Sequence, residues 1–254
     1  TLVVSPLISL MKDQVNSLVQ NGVRGAYLNS SLTYSQYRAA LRNAKAGVYK
    51  LIYVAPERLL TPEFLDFAAH ADISMVTIDE AHCVSQWGQD FRPSYLSIPE
   101  FIRQLPKRPV VSAFTATATP KVREDILQLL ALQNPTVMLT GFNRQNLYFE
   151  VRHPKDKLAE TFRILEEHPG KSGVIYCSTR KAVEEVCSAL IQRGYAAVRY
   201  HAGLSDEERQ SSQESFLYDR TPIIVATNAF GMGIDKSNVS FVIHYNMPKD
   251  LESY

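Results

Sequence analysis

The feature that most constrains this chain is a repeated alternation of short Val/Ile-rich runs with stretches of helical periodicity. The candidate strands are Leu2–Val4, Ala26–Leu28, Leu51–Val54, Ile73–Ile78, Val110–Phe114 and Val137–Leu139, followed by Gly173–Tyr176, Ala197–Tyr200, Ile223–Ala226 and Phe241–His244. They are continuous apolar runs, not polar/apolar alternations, as expected where helices cover both faces of a parallel sheet. Between them, Leu7, Leu10, Met11, Val15 and Leu18 fall on one helical face that stops at Asn21-Gly22. Thr33-x-x-Gln36 and Ser205-x-x-Glu208 read as capping boxes, and Thr61-Pro62 and Thr119-Pro120 place a cap before proline at the first helical position. This rhythm predicts an α/β fold of parallel sheets flanked by helices.

The 254 residues allow one or two domains. A boundary is expected around Gly141-Phe142-Asn143-Arg144, after which Leu147–Val151 and Leu158–Leu165 open a second series, giving units 1–141 and 142–254. The chain opens on Thr1 in strand-like sequence and stops at Leu251–Tyr254 with no Gly or Pro after it, so it is expected to be an internal piece of a longer protein. With 45% hydrophobic and 21% charged residues, disordered and collagen-like classes are excluded. Lys and Arg (27) balance Asp and Glu (26), which gives no overall basic footprint. Nucleic acid still fits, because a groove needs only a few local phosphate contacts. Cys83, Cys177 and Cys187 form no CxxC pair, so no zinc site is expected within the chain. No apolar run approaches the roughly 20 residues of a membrane span, and no membrane partner is expected.

Ile73–Ile78 delivers Asp79-Glu80-Ala81-His82 at its C-terminal edge, where open parallel sheets place their ligands. In nucleoside triphosphatases of this layout the Asp holds Mg²⁺, commonly through water, and the Glu takes a proton from, or orients, the water that attacks the γ-phosphate. An Asp-Glu pair alone more often serves a helix N-terminus, where acids suit the dipole; Ala81 and His82 reverse that preference towards hydrolysis. A phosphate cradle is also needed. Gly170-Lys171-Ser172 is not one, since Leu165 stands where the first glycine is required and the tripeptide follows a helix and precedes a strand. It reads as a helix-stop turn, so either the cradle lies upstream of Thr1 or the protein is not an ATPase.

The next segment, Cys83–Tyr95, holds the only Trp of the chain, Trp87, together with Phe91, Arg92 and Tyr95, broken by Gly88 and Pro93. Aromatics and Arg on a loop suit base stacking, at about 1–3 kcal/mol per base, although core packing is the commoner use of such residues.

Taken in order, several segments resemble the helicase motifs of the RecQ family. They are Val3–Gln14, Ala55–Leu59, Asp79–Tyr95, Thr115-Ala116-Thr117-Ala118, Val174–Arg180, Tyr200–Leu204 and Val225–Lys236. The aromatic-rich loop separates RecQ-like enzymes from other DExH helicases. The resemblance implies two RecA-like lobes, the first incomplete at its N-terminus and the second at its C-terminus, with ATP and Mg²⁺ in the cleft and single-stranded DNA across the top. The implied activity is ATP-driven 3′–5′ translocation and unwinding of duplex DNA, in repair and recombination. The implied location is the cytoplasm (nucleoid) of a bacterium or the nucleus of a eukaryote.

By position, Asp79 would hold Mg²⁺ and Glu80 would act on the water. His82, Thr115 and Thr117 would relay nucleotide state to DNA, and Trp87, Phe91 and Arg92 would sense single-stranded DNA. Ser5, Ser178, Arg180 and Thr227 resemble DNA-facing positions, and Gly233 and Asp235 would approach the nucleotide from the second lobe. The family's Walker A loop and arginine-finger motif are absent. An arginine finger is worth about 10³–10⁵ in rate in related systems, so the chain alone is expected to hydrolyse no ATP. The competing readings are a DExH-type RNA helicase and a non-catalytic DNA-binding relative; the aromatic loop speaks against the first and the presence of both carboxylates against the second.

Overall fold

The computed structural model describes residues 1–88, 90–140, 145–228, 230–231, 234 and 236–247, with Ser9 as backbone only. The chain divides into two compact units, Thr1–Leu139 and Thr140–Tyr254.

In the first unit the elements run β1 (Leu2–Val4), α1 (Ile8–Gln20), β2 (Gly25–Leu28), α2 (Tyr34–Lys45), β3 (Leu51–Val54), α3 (Pro62–His70), β4 (Met75–Ile78), α4 (Ile98–Gln104), β5 (Val110–Ala113) and α5 (Pro120–Leu129). All strand pairs are parallel, in the order β2-β3-β1-β4-β5. The interior strands supply Leu2, Val4, Val76 and Ile78 to the core, against a cluster of Phe64, Phe67 and Phe101 from α3 and α4. Burying such side chains stabilises by about 1.5–3 kcal/mol each. Met11 and Val15 are the buried members of the α1 stripe, and Asn21 caps that helix. The Thr33–Gln36 capping box is formed, and Thr119 caps α5 by accepting from the Val122 N–H. Thr61 differs. Its hydroxyl donates to the Arg58 carbonyl and caps nothing, because the preceding 3-10 turn (Pro56–Arg58) offers that acceptor at 2.7 Å.

The second unit runs α6 (Lys157–Glu167), β6 (Ser172–Tyr176), α7 (Arg180–Gln192), β7 (Ala197–Tyr200), α8 (Asp206–Leu217), β8 (Ile223–Ala226) and β9 (Val239–His244). Its sheet is also parallel, in the order β7-β8-β6-β9. Along β8, Ile223 and Val225 join one core cluster while Ile224 and Ala226 join the other, so this strand is buried on both faces. That is why its sequence shows no polar alternation. The Ser205–Glu208 capping box opens α8. Gly170, at φ +69°, turns the chain from α6 into β6, which is the helix-stop role read for Gly170-Lys171-Ser172.

One expected strand is not formed. Val137–Leu139 pairs with no strand among the described residues, and Met138 is 87% exposed. Apolar β-branched sequence is not sufficient for a strand; the ladder partner decides. Ile73 and Ser74 precede β4 rather than belonging to it. The expected boundary residues 141–144 lie outside the described residues. No described helix is long and apolar enough to cross a membrane.

Candidate active site

β1, β4 and β5 are neighbours in the first sheet, so their C-terminal ends bring Ser5, Asp79-Glu80 and Phe114-Thr115 to one edge. The ladder continues past the strands: the Asp79 N–H donates to the Val4 carbonyl at 2.9 Å, Phe114 to Ile78 at 2.8 Å, and Ala81 to Phe114 at 2.8 Å. At Glu80 the backbone switches to the left-handed region (φ 47°, ψ 48°), and a 3-10 turn, Ala81–Val84, follows at once. A non-glycine residue held there costs on the order of 1–3 kcal/mol, and such strain gathers at functional positions.

The Asp79 carboxylate is oriented on both oxygens. Oδ2 accepts from the Ser5 hydroxyl at 3.2 Å and Oδ1 from the Glu80 N–H at 3.0 Å. Its backbone carbonyl accepts from the Tyr95 hydroxyl at 2.9 Å. Ser5, expected at a DNA-facing position, is fully buried and serves Asp79. Tyr95, grouped in sequence with the stacking aromatics, is also fully buried, in the core of the first unit. Neither contact is visible locally, because Ser5 and Asp79 are 74 residues apart.

His82 is buried, and its Nδ1 lies 2.8 Å from the Thr115 hydroxyl oxygen and 3.3 Å from Glu80 Oε2. The Thr115 hydroxyl donates to the Thr117 carbonyl and accepts from the Thr117 N–H, which leaves its oxygen to receive a proton from His82 Nδ1. The network therefore assigns the imidazole proton to Nδ1. Burial holds the His82 pKa below its ordinary value, against the opposing pull of Asp90 and Asp79. The Glu80 carboxylate therefore lies close to a neutral ring whose Nδ1 proton is given to Thr115, and the approach is not an ion pair. Burial first, then the charges of Asp79 and Asp90, raise the Glu80 pKa, which makes its carboxylate a stronger base. Cys83, next to this cluster, is pushed up to about 12 by burial and is not a nucleophile at neutral pH.

A divalent ion fits this site on one condition. Among the described residues no three His, Cys, Asp or Glu side chains gather to enclose a metal. A carboxylate has about four lone-pair sites, and Asp79 uses one on each oxygen, so it retains room for a hydrated ion. Mg²⁺ keeps several waters and takes one or two carboxylates plus substrate phosphates, which matches a lone, well-oriented Asp.

The aromatic loop stands beside this cluster. Trp87 is 68% exposed, whereas Phe91 is partly buried. Arg92 is engaged: its Nε and NH2 donate to Asp90 Oδ2, both at 2.8 Å, and its NH1 donates to the Pro6 carbonyl at 2.9 Å. It thus ties the loop to the turn that carries Ser5.

In the second unit, Ser178, Arg180 and Thr227 also emerge at strand ends. Ser178 and Arg180 follow β6 and are exposed, and Thr227, following β8, is partly buried with its N–H on the Tyr200 carbonyl. The Ser178 N–H donates to the Asn246 side-chain oxygen at 3.2 Å. His201, after β7, is a satisfied strand-end histidine, bonded through Nε2 to Glu184 at 2.9 Å and accepting from the Gly203 N–H on Nδ1. Gly233 and Asp235 lie outside the described residues.

A parallel sheet presenting Asp-Glu-Ala-His at a strand end, followed by a second parallel-sheet unit, is similar to the layout of DEAD/DEAH-box helicases. The DEAD/DEAH box helicase family model matches residues 1–126, and the helicase conserved C-terminal domain model matches residues 156–254. The chain is similar to RecQ-family proteins. It is 46% identical to the ATP-dependent DNA helicase RecQ of Bacillus subtilis (strain 168) and 44% identical to that of Pasteurella multocida (strain Pm70), each over 254 residues. Both alignments cover 100% of this chain and, respectively, 43% and 40% of the relative, so the chain spans about two fifths of the length of these curated relatives. In fold it resembles Saccharomyces cerevisiae Dbp5 bound to RNA and ADP BeF3, with a TM-score of 0.73 at 18% identity, covering 98% of this chain and 63% of that one.

Proposed function

We propose that this chain is the motor core of an ATP-dependent 3′–5′ DNA helicase, which moves along single-stranded DNA and separates duplexes in repair and recombination. The observation that carries the reading is the continuous network from the Asp79–Glu80 carboxylates through His82 to Thr115 and Thr117, with an exposed Trp87 on the adjoining loop. The relatives' names support the substrate class. Glu80 acts on the water that attacks the γ-phosphate. Asp79, held by Ser5, would hold a hydrated Mg²⁺, which would supply neutralisation of phosphate charge. His82, Thr115 and Thr117 pass nucleotide state to the loop, where Trp87, Phe91 and Arg92 meet single-stranded DNA. Ser178, Arg180 and Thr227 contact the strand from the second unit, and Gly233 and Asp235 approach the nucleotide. Because these contacts are phosphate and stacking contacts, binding is sequence-tolerant and salt-sensitive.

The test is ATP hydrolysis by the protein extended to the length of its relatives, with and without single-stranded DNA. Strong stimulation, with strand separation on DNA duplexes in preference to RNA duplexes, is the expected result. DNA binding without stimulation would replace this reading with that of a non-catalytic DNA-binding relative.

The pH dependence supplies a second check. Hydrolysis needs the Glu80 carboxylate ionised, so the rate falls as pH drops through its raised pKa, and the acid limb lies above the ordinary carboxylate range. Asp90→Asn removes one of the charges that raise it and should move that limb to lower pH. An unmoved or upward-moved limb would remove Glu80 from the role of base.

A further inference from the structure

We propose that Ser85 and Asp125 form a positioning link that fixes where Trp87 stands and connects the aromatic loop to α5. The Ser85 side chain is fully buried, and its hydroxyl donates to Asp125 Oδ2 at 2.6 Å. The same oxygen accepts from the Trp87 N–H at 3.1 Å, and the Ser85 carbonyl accepts from the Gly88 N–H at 3.0 Å. One buried residue thus holds both halves of the turn that displays the exposed indole. Its partner, Asp125, stands on α5, is itself only 15% exposed, and is steadied by Lys121 at 3.5 Å.

α5 begins directly after the Thr115–Thr117 turn, capped by Thr119. The loop is therefore fastened to this segment twice, by His82 on Thr115 at its start and by Ser85 on Asp125 three residues later. A displacement of the Thr115–Thr119 segment and α5 reaches Trp87 through the second fastening by way of a single hydroxyl, without crossing the whole 3-10 turn. The link resists being left behind, since parting it strands a buried hydroxyl without its acceptor. Its positional half stands on geometry alone. Its functional half, that the link carries the nucleotide signal, rests on the coupling reading given above.

Trp87 is the only Trp of the chain, so emission excited selectively at tryptophan, beyond tyrosine absorption, reports this loop. Ser85→Ala and Asp125→Ala should each shift the emission maximum and change quenching by iodide, with no DNA or nucleotide present. Asp125→Asn keeps an oxygen acceptor and should stay near the unsubstituted chain. Unchanged emission in both Ala variants overturns the link. In protein extended to its relatives' length, Ser85→Ala should lower the ratio of DNA-stimulated to basal hydrolysis several-fold, with the basal rate within about twofold. A preserved ratio, or equal loss of both rates, overturns the functional half. If the unsubstituted protein shows no stimulation, the helicase reading and the functional half fail together, while the fluorescence result still decides the positional half.

Discussion

In protein extended to the length of its relatives, Glu80→Gln should lower DNA-stimulated ATP hydrolysis by about 10²–10⁴-fold, the usual worth of a positioned general base, and leave the protein at least as stable at neutral pH. The two halves of this expectation come from one feature. Burial and the charges of Asp79 and Asp90 raise the Glu80 pKa, so the folded state binds a proton there more tightly than the unfolded chain does. A raised carboxylate pKa means that stability is lost as pH climbs from the unfolded towards the folded value and is not regained above it. The ionised side chain at pH 7 is therefore a standing cost, which a neutral amide of the same shape removes. Ser5, Tyr95 and the backbone ladder around Asp79 do not involve the Glu80 side chain and should be undisturbed. Hydrolysis and thermal unfolding, measured on the same preparation, check both halves. Turnover within about tenfold of the original, or a clear drop in thermal midpoint, would mean that Glu80 supports the fold and not the chemistry.

Much of this arrangement is legible in the sequence, and what is legible is local. Leu2–Val4, Leu51–Val54, Ala197–Tyr200 and Ile223–Ala226 form strands over the residues expected, because a short apolar run between helix stops has few other ways to be buried. The two capping boxes form because both partners lie within one helical turn. Val137–Leu139 carries an equally good local signal and forms no strand, since pairing depends on residues distant in the chain. The site divides in the same way. Asp79, Glu80 and His82 stand out as a contiguous motif, but the three contacts that orient them are non-local: Ser5 to Asp79, Thr115 to His82, and Tyr95 to the Asp79 carbonyl. Ser5-Pro6 carries a turn signal and nothing in it announces a partner in β4's wake. The left-handed backbone at Glu80 has no sequence mark either, because Glu is not a residue that prefers it. Strain of that kind is visible only once the surrounding ladder is known to impose it.

Gly88→Ala should displace the aromatic loop and cost about 1–3 kcal/mol, the range for forcing extra atoms into a packed site. A Cβ at this position would lie well inside the van der Waals distance of the His82 carbonyl oxygen and 3.2 Å from the Ser85 carbonyl oxygen. Both obstacles are backbone, so no rotamer change relieves them. The His82 carbonyl is moreover pinned by the Ser85 N–H at 3.1 Å, and His82 itself by Thr115. The Trp87–Gly88 side of the turn is the part that can give, and lifting it breaks the Gly88 N–H bond to Ser85 and carries Trp87 away from the Ser85 hydroxyl. Loss of base stacking is worth about 1–3 kcal/mol per base, or roughly 5- to 150-fold in affinity for single-stranded DNA. Gly88→Ala should thus weaken DNA binding about as much as Trp87→Ala, and the double variant should be little worse than either, since the two act through one indole. Denaturant unfolding of the first unit, Trp87 emission and titration with a dT oligonucleotide measure the three consequences. Full additivity in the double variant would show that the glycine shapes a second DNA contact; unchanged stability and emission would show that the loop yields freely and that its close approach to His82 positions nothing.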